Sequence, residues 1–326
     1  MRDDHPDVGT VRAVIGLACR APSIHNTQPW RWTVGDSSVH LFADPSRTLP
    51  ATDPDGRDLL VSCGAALHHL RVGFAALGWA TVVRRLPDPA EPDHLAAVTF
   101  YPRQASAEDI ALSAAIPHRR TDRRRFSSWE VPADLVRVLV DRAAEHGAIL
   151  VAADDPRDRF RITSAISAAS WQQGMNPAYA SELAAWAGRG RGAREGVPAA
   201  NIPSVPVSHG DTEMRPFPNG SLTVSTPGWE DDAGALLVLA TSSDDRGSRL
   251  RAGEALSAVL LTATDSRLAT CPLSQLLEVT ATRDLLREHV LDDVAFPQLV
   301  LRVGWAPVSG EPLPATPRRA LDDVLG

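Results

Sequence analysis

Four short stretches carry residue types that could bind or react. The first runs Pro22-Ser23-Ile24-His25-Asn26-Thr27-Gln28-Pro29-Trp30. Its Ser, Asn and Gln side chains and free amides suit a flat heterocycle edged with donors and acceptors, while Pro22 and Pro29 stiffen the loop. The same residues also suit a plain helix-to-strand turn held by local hydrogen bonds. The second is His118-Arg119-Arg120-Thr121-Asp122-Arg123-Arg124-Arg125-Phe126. Its crowded arginines repel one another unless an anion or carboxylates intervene, and guanidinium forks with the Thr121 hydroxyl suit a terminal phosphate. A solvated basic turn paired with Asp122 and Glu130 is the alternative. The third is Thr270-Cys271-Pro272-Leu273-Ser274-Gln275. Pro272 breaks helical geometry, so the amides after it can face a ligand or serve a helix-to-helix turn. The fourth is Pro317-Arg318-Arg319, a second basic pair or an exposed tail.

Other chemistries find no constellation. The three cysteines, Cys19, Cys63 and Cys271, are far apart without CxxC spacing. The His68-His69 pair sits in a helical pattern with no ligand partner at metal spacing, so no metal site is expected. No Ser-His-Asp or Cys-His arrangement stands out, so no acid, base or nucleophile is assigned, and no GxGxxG fingerprint occurs. The net charge of −7 argues against a broad nucleic-acid surface. All 33 basic residues are Arg and none is Lys, so any anion site must use guanidinium forks or backbone N–H groups. Met1 to Pro6 lacks the basic and apolar regions of a signal peptide, and no run of 18 residues is wholly apolar; a cytoplasmic chain that crosses no membrane is expected.

Periodicity supplies the elements that must position these stretches. Helices are expected at 8–20, 58–77, 107–116, 132–146 and 250–266, with helical spacing over 157–187. Strands are expected across 30–42 around the turn at 35–38, then at 79–86, 95–101, 148–153, 234–241 and 298–305. Residues 188–231, rich in Gly, Pro, Ser and Asn, read as an active-site lid with Met214, Phe217 and Trp229 to bury, or as a disordered segment.

A pattern repeats at an offset of 189 residues. Gly64-Ala65-Ala66-Leu67 corresponds to Gly253-Glu254-Ala255-Leu256, and Thr81 to Thr270. Each long helix leads through a connection to a closing strand. The reading is an α+β chain of two similar halves, 1–105 and 106–326, packed as an internal pseudo-dimer.

Together the four stretches resemble one family. Pro22 to Trp30 is similar to the P-S-x-x-N-x-Q-P-W signature of the FMN-dependent nitroreductase superfamily. Arg119-Arg120-Thr121 with Arg123 and Phe126 resembles its R-R-S-x-R phosphate motif, with one extra residue before the Phe. Cys271-Pro272 falls where the family meets the flavin ring through backbone groups, and Arg318 and Arg319 fall where it closes on the phosphate. The resemblance spans residues 8 to 319 and implies an FMN held by Pro22, Ser23, Ile24, Asn26, Gln28, Arg119, Arg120, Thr121, Arg123, Pro272, Leu273, Ser274, Arg318 and Arg319.

The motif order is the reverse of that in ordinary nitroreductases. It resembles the Acg-type single-chain branch, a fused dimer that kept one site and lost the other, with Ile149-Leu150-Val151 where a second Q-P-W would stand. The resemblance further implies one FMN per monomeric chain, electrons from NAD(P)H and an electron-poor small-molecule acceptor. Two departures stand against ordinary turnover: Ser274 or Gln275 replaces the family's acidic residue, and 188–231 has no counterpart in simple nitroreductases. The alternatives are a non-enzymatic FMN-sequestering protein closed by the lid, and a flavin-dependent tailoring enzyme for a larger substrate.

Overall fold

The computed structural model describes residues 5–190, 192–223, 232–307 and 311–326. In the first half, α1 (Val8–Ala18) precedes the hairpin β1 (Trp30–Val34) and β2 (Ser38–Ala43), then α2 (Arg57–Ala76), β3 (Trp79–Arg85) and β4 (His94–Pro102). The antiparallel sheet runs β1-β2-β4-β3. After α3 (Ala107–Ala115) the plan restarts: α4 (Ala133–Glu145), β5 (Ile149–Ala152), then α5 (Pro156–Gly174) and α6 (Pro177–Trp186). A small ribbon of β6 (Ser208–His209) and β7 (Thr212–Glu213) follows, then β8 (Ala235–Thr241), α7 (Arg246–Asp265), β9 (Ala269–Leu273), α8 (Gln275–Glu278), α9 (Thr280–His289) and β10 (Phe296–Gly304). The second sheet runs β5-β8-β10-β9. Taking β5, β8, β9 and β10 as counterparts of β1, β2, β3 and β4, the two strand orders coincide.

The halves meet where α2 crosses α7, and the sequence echo marks that crossing. A Cβ on Gly64 would stand 2.0 Å from the Leu250 carbonyl oxygen, and one on Gly253 would stand 2.0 Å from that of Val61. These contacts are reciprocal under the 189-residue offset, as a two-fold relation requires. His68 Nδ1 meets Ser257 Oγ at 2.8 Å with the same separation of 189. Only glycine lets two helix backbones approach this closely. Buried Glu254 adds a link, taking Arg71 at 2.6 Å and both Arg85 donors at 2.6 and 2.9 Å. The chain is therefore α+β, with two similar halves forming an internal pseudo-dimer.

Several elements differ from the sequence reading. Helix α7 begins at Arg246, because the Asp245 carboxylate caps it by accepting from the Ser248 amide at 2.8 Å. The 157–187 stretch is two helices, since Asn176 caps a new one and Pro177 opens it. Cys271-Pro272 is not a helix-to-helix turn but part of β9. That strand lies at the edge of its sheet, where Pro272, opposite Leu301, needs no amide for a neighbour. Helix α2 has the length and composition of a membrane span, yet 83% of that window is buried inside the protein. Its apolarity is that of a core helix, packed against α7, α1 and the first sheet.

Candidate functional site

Residues 19–29 join α1 to β1, and three of them adopt left-handed backbone: His25 (φ 46°), Asn26 (φ 55°) and Gln28 (φ 52°). Such conformations cost roughly 1–2 kcal/mol per non-glycine residue, so the surroundings must over-determine them. They do so from several sides. The Gln28 amide donates to Ser23 Oγ at 3.0 Å, and the Ile24 amide to Ser62 Oγ on α2 at 3.0 Å. Asn26 Nδ2 donates to the carbonyls of Gly196 and Pro317, at 3.0 and 3.2 Å. Trp30 is fully buried beyond the loop.

This loop faces β9 and the start of α2 across a cavity that leaves about 110 Å³ for water-sized occupants. Pro22, Ser23 and Ile24 line one wall, Cys271, Pro272, Leu273 and Ser274 another, and Asp58, Val61 and Ser62 a third. The cavity continues through Thr121 and Arg123 into a polar neck that also touches Asn26, Arg119, Asn201, Thr316 and Arg318. The neck opens in turn, past Arg119, Thr316 and Arg318, into a basic end that adds Arg20 and Arg120. The arginine cluster is tied to β9 by the Asp122 amide, which donates to the Thr270 carbonyl at 2.8 Å.

The electrostatics rise along this trough. Arg119 is buried, and its Nε and Nη1 have no partner. Burial, then the charges of Arg120 and Arg20, pull its pKa down to about 10, so it stays cationic at neutral pH. Burial, followed by Arg119 and Arg20, brings Arg318 to about 9. Among the described residues no carboxylate pairs with Arg20, Arg119, Arg120 or Arg318 in the basic end. Buried cations held this way call for an anion. In the neck, Asn26 Oδ1 and Asn201 Oδ1 are buried acceptors without donors. Each leaves a hydrogen bond that an incoming hydroxyl could make.

The fourteen sequence-named residues divide. Pro22, Ser23, Ile24, Asn26, Arg119, Thr121, Arg123, Pro272, Leu273, Ser274 and Arg318 line the cavity or neck, and Arg120 lines the basic end alone. Gln28 and Arg319 line none of the three. Gln28 Oε1 accepts from the Arg319 amide at 2.8 Å, and its Nε2 donates to the Arg194 carbonyl at 2.9 Å. The pair therefore clasps the loop to the 188–223 segment and the C-terminal stretch. Arg318 donates all five of its N–H groups to the carbonyls of Cys19, Arg20, Ala21, Thr316 and Pro317. It thus offers the trough charge rather than a free donor. Arg124 leaves the trough altogether, forked onto Asp122 at 2.9 and 2.7 Å.

Of what the 188–223 segment inserts, sequence reasoning named Met214 and Phe217 as residues to bury but missed Arg215. Met214, Arg215 and Phe217 line the cavity, whereas Trp229 lies outside the described residues. The Arg215 guanidinium pairs with Glu278 and reaches His25 Nε2, Tyr179 Oη and Ser274 Oγ, each at 3.2 Å. Burial alone would lower its pKa, but Glu278 and Tyr179 raise it. Burial, then Arg215 and Arg123, hold His25 neutral, well below the usual histidine range. Glu278, placed a helical turn past Ser274, supplies an acid beside the turn whose own residues 274–275 have none; Ser274 Oγ donates to it at 2.8 Å. Among the described residues no group of His, Cys, Asp and Glu is arranged for a metal.

No family model matches the chain. Full-length relatives do. Rv3131 of Mycobacterium tuberculosis is 46% identical over 332 residues, covering 100% of this chain and 93% of that protein. The acg protein of the same organism is 41% identical over 329 residues, covering 100% and 98%. Both are named, provisionally, NAD(P)H nitroreductases. Solved structures align more loosely: NfnB of Mycobacterium smegmatis, crystallised with NADPH, is 15% identical over 65% of this chain and 96% of its own, with a TM-score of 0.40. On these relatives, which align with the whole of this chain, the chain belongs to the nitroreductase family.

Proposed function

We propose that the chain binds one FMN along this trough and works as an oxidoreductase of nitroreductase type, taking electrons from NAD(P)H and passing them to an electron-poor small molecule. The carrying observation is the sequence of three compartments. An apolar cavity walled by Ile24, Leu273 and Leu256 suits the ring. The neck's orphaned Asn26 and Asn201 oxygens suit a chain of hydroxyls. The unpaired Arg119, with Arg20, Arg120 and Arg318 around it, suits a terminal phosphate. The residues present therefore fit FMN, which when bound supplies the hydride-accepting and hydride-donating chemistry. The protein's part is to orient the ring, neutralise the phosphate and exclude water. Because the loop and Arg20 come from residues 1–105, and the strand with Arg119, Arg120 and Arg318 from 106–326, one chain makes one site and can act as a monomer, which we place in the cytoplasm.

The test is spectroscopic. Purified protein loaded with FMN should show one flavin per chain and bleach within seconds when mixed anaerobically with NADPH or NADH. Two flavins per chain would refute the shared site. A second reading is supported by Arg215 and Phe217, which reach from the 188–231 lid into the cavity and, with Arg215 pinned on Glu278, can keep a donor off the ring. Bleaching by dithionite alone would favour this sequestering role. Under it, Arg215→Ala should restore bleaching by NADPH.

A further inference from the structure

The binding reading leaves one group in the cavity wall without a task. Asp58, the second residue of α2, is 9% exposed and lines the ring compartment beside Val61 and Ser62. Among the described residues no donor reaches its carboxyl group. The charged groups facing it come from four elements. Asp53, in the turn before α2, accepts from the Leu59 amide at 2.8 Å. Arg57, next to it on α2, is committed to Asp244, Gln298 and the Pro297 carbonyl. Glu278, on α8, takes Ser274, Gln173 and Arg215. Arg215, from the inserted segment, is engaged by Glu278, and neutral His25 lines the same cavity. Three carboxyl groups thus sit near two cations that already have partners, Arg57 on Asp244 and Arg215 on Glu278, in a place poor in water. At least one of them must keep its proton. Asp58 is the one without donors. Burial, then the neighbouring Asp53 and Glu278 charges, push it well above the carboxylate range.

We propose that Asp58 is a catalytic acid: a neutral carboxylic acid in the cavity wall that gives its proton to the carbonyl oxygen of a quinone-type acceptor. The proposal rests on the NAD(P)H–FMN reading above and names the acceptor chemistry of the same site. The balance closes. NAD(P)H loses a hydride and becomes NAD(P)+; the quinone gains that hydride equivalent and one proton, and becomes the hydroquinone. The Asp58 O–H bond breaks as the new O–H bond forms. The carboxylate left beside Asp53 and Glu278 is repelled by both and recovers a proton from water.

Two measurements on the full chain test this with Asp58→Asn and Asp58→Glu. The first is stability of the flavin-free protein against pH. A folded pKa raised above the unfolded value of 3.8 gives stability that is complete below 3.8 and lost as pH rises through the folded value. Asp58→Asn, which does not titrate, should therefore gain on wild type as pH rises from 4 towards 8, while Asp58→Glu keeps the wild-type slope. Parallel curves for Asn and wild type would overturn the neutral acid. The second is stopped-flow oxidation of the FMN-loaded, pre-reduced protein by 1,4-benzoquinone. Asp58→Asn should slow it about 100-fold, as loss of a general acid does, and Asp58→Glu should recover most of the rate. An unchanged rate in Asp58→Asn would overturn the proposal while leaving the FMN reading intact. Wild-type protein that NAD(P)H cannot bleach would overturn that reading instead, and dithionite-reduced protein would still report on Asp58.

Discussion

Between α1 and β1 the first half carries residues 19–29, with their strained backbone and polar side chains; between α4 and β5 the second half has only His146, Gly147 and Ala148. The contrast reverses after the long helices. From β9 to β10 the second half inserts α8 and α9, with Ser274 and Glu278, where the first half crosses from β3 to β4 by residues 86–93. Each possible site at the seam needs a loop from one half and a strand with its sequel from the other. One combination is complete. The other pairs a three-residue connection with a bare turn. The seam itself has been held to symmetry, since the two glycines tolerate nothing larger. The loops, lying outside that helix crossing, could diverge.

That comparison can be broken most forcefully at the seam. Gly64→Leu and Gly253→Leu should each cost at least about 3 kcal/mol, because the new side chain meets backbone rather than a yielding side-chain tip. Urea unfolding would show it, or the variants would fail to accumulate as soluble protein. If only one glycine proved sensitive, the reciprocal crossing would be wrong.

A smaller effect sharpens the asymmetry of the sites. Arg119→Ala should weaken FMN binding by roughly 10- to 100-fold, the worth of a charge-assisted bond at about 1.5–3 kcal/mol. The flavin-free protein should be no less stable, since Arg119 is repelled by Arg120 and Arg20 there. Arg84→Ala, on exposed β3 in the incomplete combination, should leave FMN affinity unchanged by fluorescence titration. Equal losses at both positions would mean that the second combination still binds.

Smallest is the neck. Asn201→Ala removes a buried acceptor and should weaken FMN about 3- to 10-fold, while riboflavin, which keeps the hydroxyls but lacks the phosphate, should lose the same factor. Loss confined to FMN would move Asn201 to the phosphate.

The two sheets explain why some of this was readable in the chain and some was not. Strand β2 alternates buried and partly exposed residues, because its sheet is covered chiefly by α1 and α2, and its hairpin partner β1 directly precedes it. Strands β8 and β10 are buried almost throughout, with α4 and α7 on one face and α5, α8 and α9 on the other. Continuous apolar runs locate such strands but not their neighbours. Strand β9 carries no periodic signal, and Pro272 argues for a turn; its place at a sheet edge is what makes proline acceptable there.

By itself the sequence determined most helices and strands, though not α8 or α9, together with the repeat, the ring-edge loop and the basic cluster, because periodicity, proline, glycine and charge crowding are local properties. Tertiary structure alone decided which arginines face the trough. Arg119 and Arg123 line it, Arg124 folds back on its neighbour Asp122, and Arg319 reads as a match in sequence yet turns to Gln28. It also decided that Arg215, Glu278 and Asp58, distant in the chain and matching no motif, converge on one cavity. Burial and the company of other charges give those three their properties, and neither is written in residue type or spacing.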